Sequence, residues 1–471
     1  MLLWLILGGI AVRLAMAQAI GLGVDESYMV AAGRGFHLGY FDHPPLSWWM
    51  AAGSARLFGS EAAVVVRLPF ILLFGVSTWL MARVTDGVFG RPAGFWAAVA
   101  FNLAPVFGVS SGGWVLPDGP LACALLAMVF CLLRAVERAG WRWWLGAGAA
   151  AGLALMAKYT AGLVVAGAFV GIITWRPYRH WLGRAQPYAA AGVAVLLFLP
   201  ELVWNAQHGW ASFAFQGARA AASRLHVFGP LTTTAGQALF LLPWIWLGLM
   251  VGWWRGLRSG DGRQWLLGVM AAGPVLLFPV FSLWSSRVLF HWAAPGYLAL
   301  FPLLGGWMAQ WRAGVARRWA LGSGAVLGMG LLLGASEVRF NWLAVFSLDP
   351  GVQARDWGDL RRVLEERQLL GGFIAAPNWA DAGKVSYALG ADLTVLCLNA
   401  DDREFHFGPP PPPVGSDVLI VAPRQDLGRI AEAYAGDFAR IEALAPAVVE
   451  LAGRGALVIP LYRGVGLRRW P

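Results

Sequence analysis

Charge is scarce in this chain of 471 residues: Asp, Glu, Lys and Arg make up 13% of it, against 58% hydrophobic residues. That ratio excludes a soluble protein of one or two cores, whose interiors cannot take up so much apolar surface, whereas lipid can. Lysine is nearly missing. Only Lys158 and Lys384 occur, so the formal net charge of +10 is carried by arginine. In a soluble protein that excess would suggest nucleic acid. Here the arginines stand in short clusters between apolar runs, as the bias of cytoplasmic membrane loops requires, and nucleic acid is not expected as a partner. Of the three cysteines, Cys123 and Cys131 share one apolar run and Cys397 lies far away, so no disulfide framework is visible. The first apolar run, residues 2–22, lacks a charged leading region and a small-residue cleavage signal, and reads as a retained span. No repeat of solenoid period occurs.

What is present is a series of apolar runs. Taking ~17–25 residues as a span, helices are expected near 2–22, 62–82, 93–109, 119–133, 143–157, 161–175, 187–204, 233–254, 265–284, 293–311 and 319–336, about eleven in all. Arginine clusters fall in every second connection: Arg83 and Arg91; Arg134, Arg138 and Arg142; Arg176, Arg179 and Arg184; Arg255, Arg258 and Arg263; Arg312, Arg317 and Arg318. These loops and the N-terminus are therefore expected in the cytoplasm. The connections 23–61, 110–118, 158–160, 205–232 and 285–292 then face outward, and they hold acids, histidines, prolines and aromatics. After about residue 337 the composition shifts. Arg355–Gln368 reads as a charged helix, while Phe373–Pro377, Leu393–Leu398, Asp417–Pro423 and Ala456–Tyr462 read as strands. The expectation is an all-α polytopic membrane domain over residues 1–340, followed by a small outer-face α/β domain over 341–471, with Pro409 to Pro413 as a stiff connector.

The outer loops hold the chemically capable residues. Asp25 and Glu26 follow the first span, where an ionised group is costly unless it serves a site, although Asp before a helical run is also a good helix cap. In Tyr40-Phe41-Asp42-His43-Pro44-Pro45-Leu46 the prolines fix the backbone and start a helix, and His43 stands before them as a donor for a phosphate or as part of a polar cap. Asp118 lies among turn residues at the mouth of a span, and Lys158-Tyr159 interrupts a long apolar stretch, where lysine requires an anion, water or an interface to reach. Glu201, Asn205, His208, Arg219 and Arg224 add polar groups near one loop, and Arg287 and His291-Trp292 near another. Basic residues on the outer face run against the charge bias, which favours an anionic ligand, a lipid headgroup included.

Together, Asp25-Glu26-Ser27-Tyr28, Asp42-His43-Pro44-Pro45-Leu46 and His291-Trp292 make residues 1–340 resemble the membrane glycosyltransferases of the protein O-mannosyltransferase and aminoarabinose-transferase type, glycosyltransferase family 39 and its bacterial relatives. The resemblance implies the GT-C fold, the bacterial inner membrane and a polyprenyl-monophosphate sugar donor. It also implies inverting transfer on the periplasmic side to a lipid, glycan or protein acceptor. By that likeness Asp25 is the general base, with Glu26 beside it. Lys158, Arg287, His43 and His291 are candidates to meet the donor phosphate; Asp118, Tyr40, Asp42 and Tyr28 are candidates to orient substrate. His43 stands where the aminoarabinose-transferase branch has Lys before Pro-Pro. No Asp-x-Asp motif of nucleotide-sugar enzymes occurs and the histidines give no ligand spacing, so neither a metal nor another cofactor is expected.

Two other readings use the same residues. A transporter or flippase of an anionic polyprenyl-phosphate lipid would need such basic groups, but transporters gather polar residues at the midplane of repeated, broken spans. A binding or assembly protein would make the α/β domain the working part, and so many spans are excessive for an anchor.

Overall fold

The structure is a computed structural model that describes every residue except 139, 221–223, 341, 344–354, 356, 424 and 451–455. Among the described residues, six helices are long and apolar enough to cross a membrane: Leu2–Ala19, Ala63–Phe89, Asp118–Arg138, Ala185–Gln207, Gly262–Phe281 and Gly314–Phe340. Two further spans arise if each bent pair counts as one: Ala161–Thr174 with Arg176–Gly183, bent by 106°, and Gly229–Leu241 with Pro243–Leu257, bent by 105°.

The remaining expected segments are helical but short or divided. Trp141–Ala157 has 17 residues. The segment expected at 93–109 splits into Arg91–Leu103 and a π-helix, Val106–Ser111, around Pro105. The one expected at 293–311 splits into Ala294–Leu298 and Phe301–Met308, each with a proline in its first turn. Proline lacks an amide hydrogen and cannot continue the preceding helix, so these breaks are local and chemical. Pro69, Pro200, Pro274 and Pro279 nevertheless lie inside long helices, where neighbouring helices can re-satisfy the freed carbonyls.

The chain forms two compact units. The first comprises Met1–Ala15, His37–Met50 and Arg67–Gly328. Its helices approach closely where side chains are small. Gly148 and Gly152 of Trp141–Ala157 face Ala190 and Ala194 of Ala185–Gln207: a Cβ on Gly148 would collide with the Ala190 carbonyl, and one on Gly152 would sit 2.9 Å from the Ala194 oxygen. This is the small-residue packing by which helices associate in lipid. It fixes the end of one helix, just before Lys158, against the helix that carries Glu201.

The second unit comprises Met16–Phe36, Ala51–Val66 and Met329–Pro471. Met16–Phe36 and Ala51–Val66 thus group with the α/β region; the boundary expected at 341 falls on a residue outside the described ones. Among the described residues, five strands make one sheet in the order β2-β1-β3-β5-β4, with β1 Phe373–Ala376, β2 Val395–Cys397, β3 Val418–Val421, β4 Phe438–Glu450 and β5 Ala456–Leu467. β1 is parallel to β2 and β3, while β5 is antiparallel to β3 and β4. The ladder between β4 and β5 is irregular from Leu444 to Ala447, where Pro446 removes a donor; an edge strand tolerates this. Helix Trp379–Leu389 is capped by Asn378, whose side-chain oxygen accepts from Asp381 N at 3.0 Å. It packs on Val24–Ala32, and its Lys384 Nζ donates to the carbonyls of Leu22 and Arg355, each at 2.7 Å.

Candidate functional site

Helix Trp141–Ala157 ends as Lys158 turns to extended backbone, φ −159° and ψ 136°. The turn carries the lysine side chain to the start of Asp118–Arg138, where its Nζ is 3.0 Å from both Asp118 oxygens. Both side chains are largely buried, 8% and 13% exposed. Two opposite charges removed from water in this way are held by each other, and removing one partner from such a pair costs about 3–5 kcal/mol.

Two histidines belong to the same constellation, since the fields of both His43 and His291 reach the Asp118 carboxylate. His291 sits in a short 3₁₀ turn, Phe290–Ala293, outside the long spans. Burial pushes its imidazolium down to about 4; Lys158 and Arg219 push the same way, and Asp118 opposes them. His291 is therefore a neutral imidazole at pH 7, a hydrogen-bonding group and not the cation that a phosphate contact first suggests. The guanidinium of Arg219 lies 4.6 Å from the ring centre of Trp292 and 5.5 Å from that of Phe215. Cation–π contact helps to hold the guanidinium in place. Arg287 is exposed, and its amide donates to Ser285 Oγ at 3.3 Å.

Tyr40 and Asp42 are buried in this unit. The Tyr40 ring stacks on Trp48, 4.4 Å between centres and 7° from parallel. The backbone carbonyls of Tyr40 and Asp42 accept from Ser212 Oγ at 2.8 Å and Gln216 Nε2 at 2.6 Å. Next to Lys158, the Tyr159 hydroxyl donates to Glu201 Oε1, and burial and that carboxylate together hold the phenol's proton on well above its usual range.

The remaining expected residues lie in the second unit. Asp25 is exposed in the first turn of helix Val24–Ala32. Glu26 is buried, and its Oε2 accepts from Gly23 N at 2.9 Å, so a helix cap accounts for its position. Tyr28 is engaged within the unit: its hydroxyl accepts from Glu404 N at 3.0 Å, and its ring meets Trp379 and Phe405.

The sequence reading passed over Arg13, Ser212 and Gln216. Arg13 lies inside the first span and donates to Gly108 O of the π-helix at 2.6 Å, with its guanidinium 4.2 Å from the Phe74 ring centre. A lone arginine in an apolar run was its signal. Ser212 and Gln216 carry no signal beyond being polar. Among the described residues, no group of three His, Cys, Asp or Glu side chains converges as a metal site would require.

Residues 42–204 match the family model described as dolichyl-phosphate-mannose-protein mannosyltransferase. Lipid A galacturonosyltransferase RgtD of Rhizobium johnstonii is 24% identical over 291 residues, 59% of this chain and 58% of that protein. The chain thus spans less than two thirds of that relative's length. Two structures of ArnT from Cupriavidus metallidurans match 98% of both chains: the apo state with TM-score 0.65 at 15% identity, and the state bound to undecaprenyl phosphate with 0.66 at 16%. At such identities the likeness is one of fold. The chain is a multi-pass membrane protein with the GT-C fold of ArnT, and its segment from Asp42 through Lys158 to Trp204 bears the sequence pattern of the mannosyltransferase family.

Proposed function

We propose that the chain is an inverting membrane glycosyltransferase that moves a sugar from a polyprenyl-monophosphate donor to an acceptor on the outer, periplasmic face of a bacterial inner membrane. The single observation that carries this reading is the buried Lys158–Asp118 pair with His43, His291 and Arg219 around it, within a fold that in ArnT is seen with undecaprenyl phosphate.

The chemistry follows from where charge grows. The acceptor hydroxyl oxygen attacks the anomeric carbon, the bond from that carbon to the phosphate oxygen breaks, and the polyprenyl monophosphate leaves with the electron pair. The hydroxyl proton passes to Asp25, a general-base role worth about 10²–10⁴ in rate. The leaving phosphate gains charge, and donors already in place at low dielectric stabilise it without reorganisation. Lys158 and Arg219 supply fixed positive charge. Neutral His291 supplies a hydrogen bond, and an arriving phosphate would reverse the field that keeps it unprotonated. A lipid acceptor is favoured over a protein by the lipid A activity named for RgtD.

The test is transfer by the purified chain in nanodiscs, with undecaprenyl-phosphate sugars and lipid A as substrates. Wild type is expected to form glycosylated lipid, Asp25→Asn to lose at least about a hundredfold, and Lys158→Met to lose donor binding. Undiminished transfer by Asp25→Asn removes the base assignment. Donor translocated with no product formed would return the flippase reading.

A further inference from the structure

Lys158 and His43, two of the candidate phosphate groups, come from segments far apart in sequence, and one buried hydrogen-bond network reaches both. It starts at Tyr159, whose hydroxyl donates to Glu201 Oε1. Asn205 Nδ2 donates to the same oxygen at 2.8 Å, and Asn205 Oδ1 accepts from Ser212 N at 3.1 Å. Ser212 Oγ then donates to Tyr40 O at 2.8 Å, and one turn later Gln216 Nε2 donates to Asp42 O at 2.6 Å. Glu201, Asn205 and Ser212 are wholly buried.

The loop also meets this network directly. Gly39 passes so close that a Cβ there would collide with the Glu201 carboxylate and the Trp204 side chain. Each of these bonds ends on a backbone carbonyl or an internal side chain, so the network fixes main-chain position at 40–42 and leaves the Asp42 and His43 side chains to their own surroundings. A carboxyl group fully out of water carries a desolvation cost, which the bonds from Tyr159 and Asn205 offset.

We infer that Glu201, Asn205, Ser212 and Tyr159 are positioning residues that hold the Tyr40–His43 loop in register with Lys158, and so set the spacing of the groups that meet the donor phosphate. The inference rests on the proposed function, which supplies the phosphate. The network acts on the donor through main-chain position at 40–42, so its loss should fall on donor affinity.

Two readouts test this in nanodisc-embedded full chain: hydrogen–deuterium exchange across residues 37–45, and affinity for undecaprenyl phosphate. Glu201→Ala and Tyr159→Phe are expected to speed exchange in that segment and weaken binding about tenfold, since misplacement of about an ångström has effects of this order or larger. Glu201→Gln, which keeps an oxygen for Tyr159 and Asn205, is expected to restore most of the affinity. Ser212→Ala, the mildest change, should show the same pattern in smaller degree if Glu201→Ala fails to fold. Unchanged exchange at 37–45 overturns the clamp. Faster exchange with unchanged affinity overturns the positioning role alone. Wild type that does not bind undecaprenyl phosphate overturns the proposed function and with it the link to the donor.

Discussion

Lys158 acts on two neighbours in opposite ways. Its Nζ lies 3.0 Å from both Asp118 oxygens. The same lysine, together with burial and Arg219, disfavours a proton on His291. The histidine's affinity for a proton is then low in the fold, about 4, against 6.5 when unfolded. Between those values the unfolded chain binds a proton at this position and the folded chain does not, so native stability declines as pH falls from 6.5 toward 4. Thermal unfolding in detergent should show that decline, and His291→Gln should flatten it. A pH dependence unchanged by His291→Gln would show that other groups control it. That Lys158 needs an anion, water or an interface was legible from its place in an apolar run; that Asp118 is its partner was not, since no local spacing joins residues 40 apart. The neutrality of His291 was not legible, since it depends on burial and on Arg219, which joins the site from another loop.

Between helices, the decisive contact is made by glycine. Gly148 and Gly152 let Trp141–Ala157 lie directly on the backbone of Ala185–Gln207, which sets how far Lys158 stands from Glu201. Gly152→Leu would force the helices apart, a change of the overpacking kind that costs typically 1–3 kcal/mol. Lower thermal stability is expected, with a loss of transfer larger than the stability loss explains; Gly192→Leu, where a Cβ meets nothing within 4 Å, serves as the control. Apolar run length revealed the unbroken spans because lipid thickness imposes it. The divided segments were read as whole, since composition does not register where Pro105, Pro295 or Pro302 ends a helix. The strands at Phe373, Val395, Val418 and Ala456 were legible as short apolar runs between turn residues. Phe438–Glu450 was not, because its alternation is carried by Ala and Glu and interrupted by Pro446, and helix Trp379–Leu389 is too short to show a period.

At the scale of the molecule, the second unit gathers residues from both ends of the chain. Asp25 belongs to that unit and the Lys158–Asp118 pair to the first, a division that hydropathy could not show because it follows pairing partners and not composition. Lys384 bonds the Leu22 carbonyl across 362 residues of sequence, and Tyr28 meets Glu404 across 376. Contacts of such separation form late. At the usual pace of synthesis, 5–20 residues per second, the stretch after the first span waits roughly 20–70 s for its partners to leave the ribosome. During that interval the helix with Asp25 lacks the surface on which it packs. Nascent chains arrested before residue 373 should therefore be cut by protease within 24–32, and released full-length chains should resist; equal resistance would mean that the helix is secured by other contacts. On the proposed assignment of Asp25 as base, that group would be set in place only after the α/β region has been made, so a half-synthesised chain would lack transfer activity.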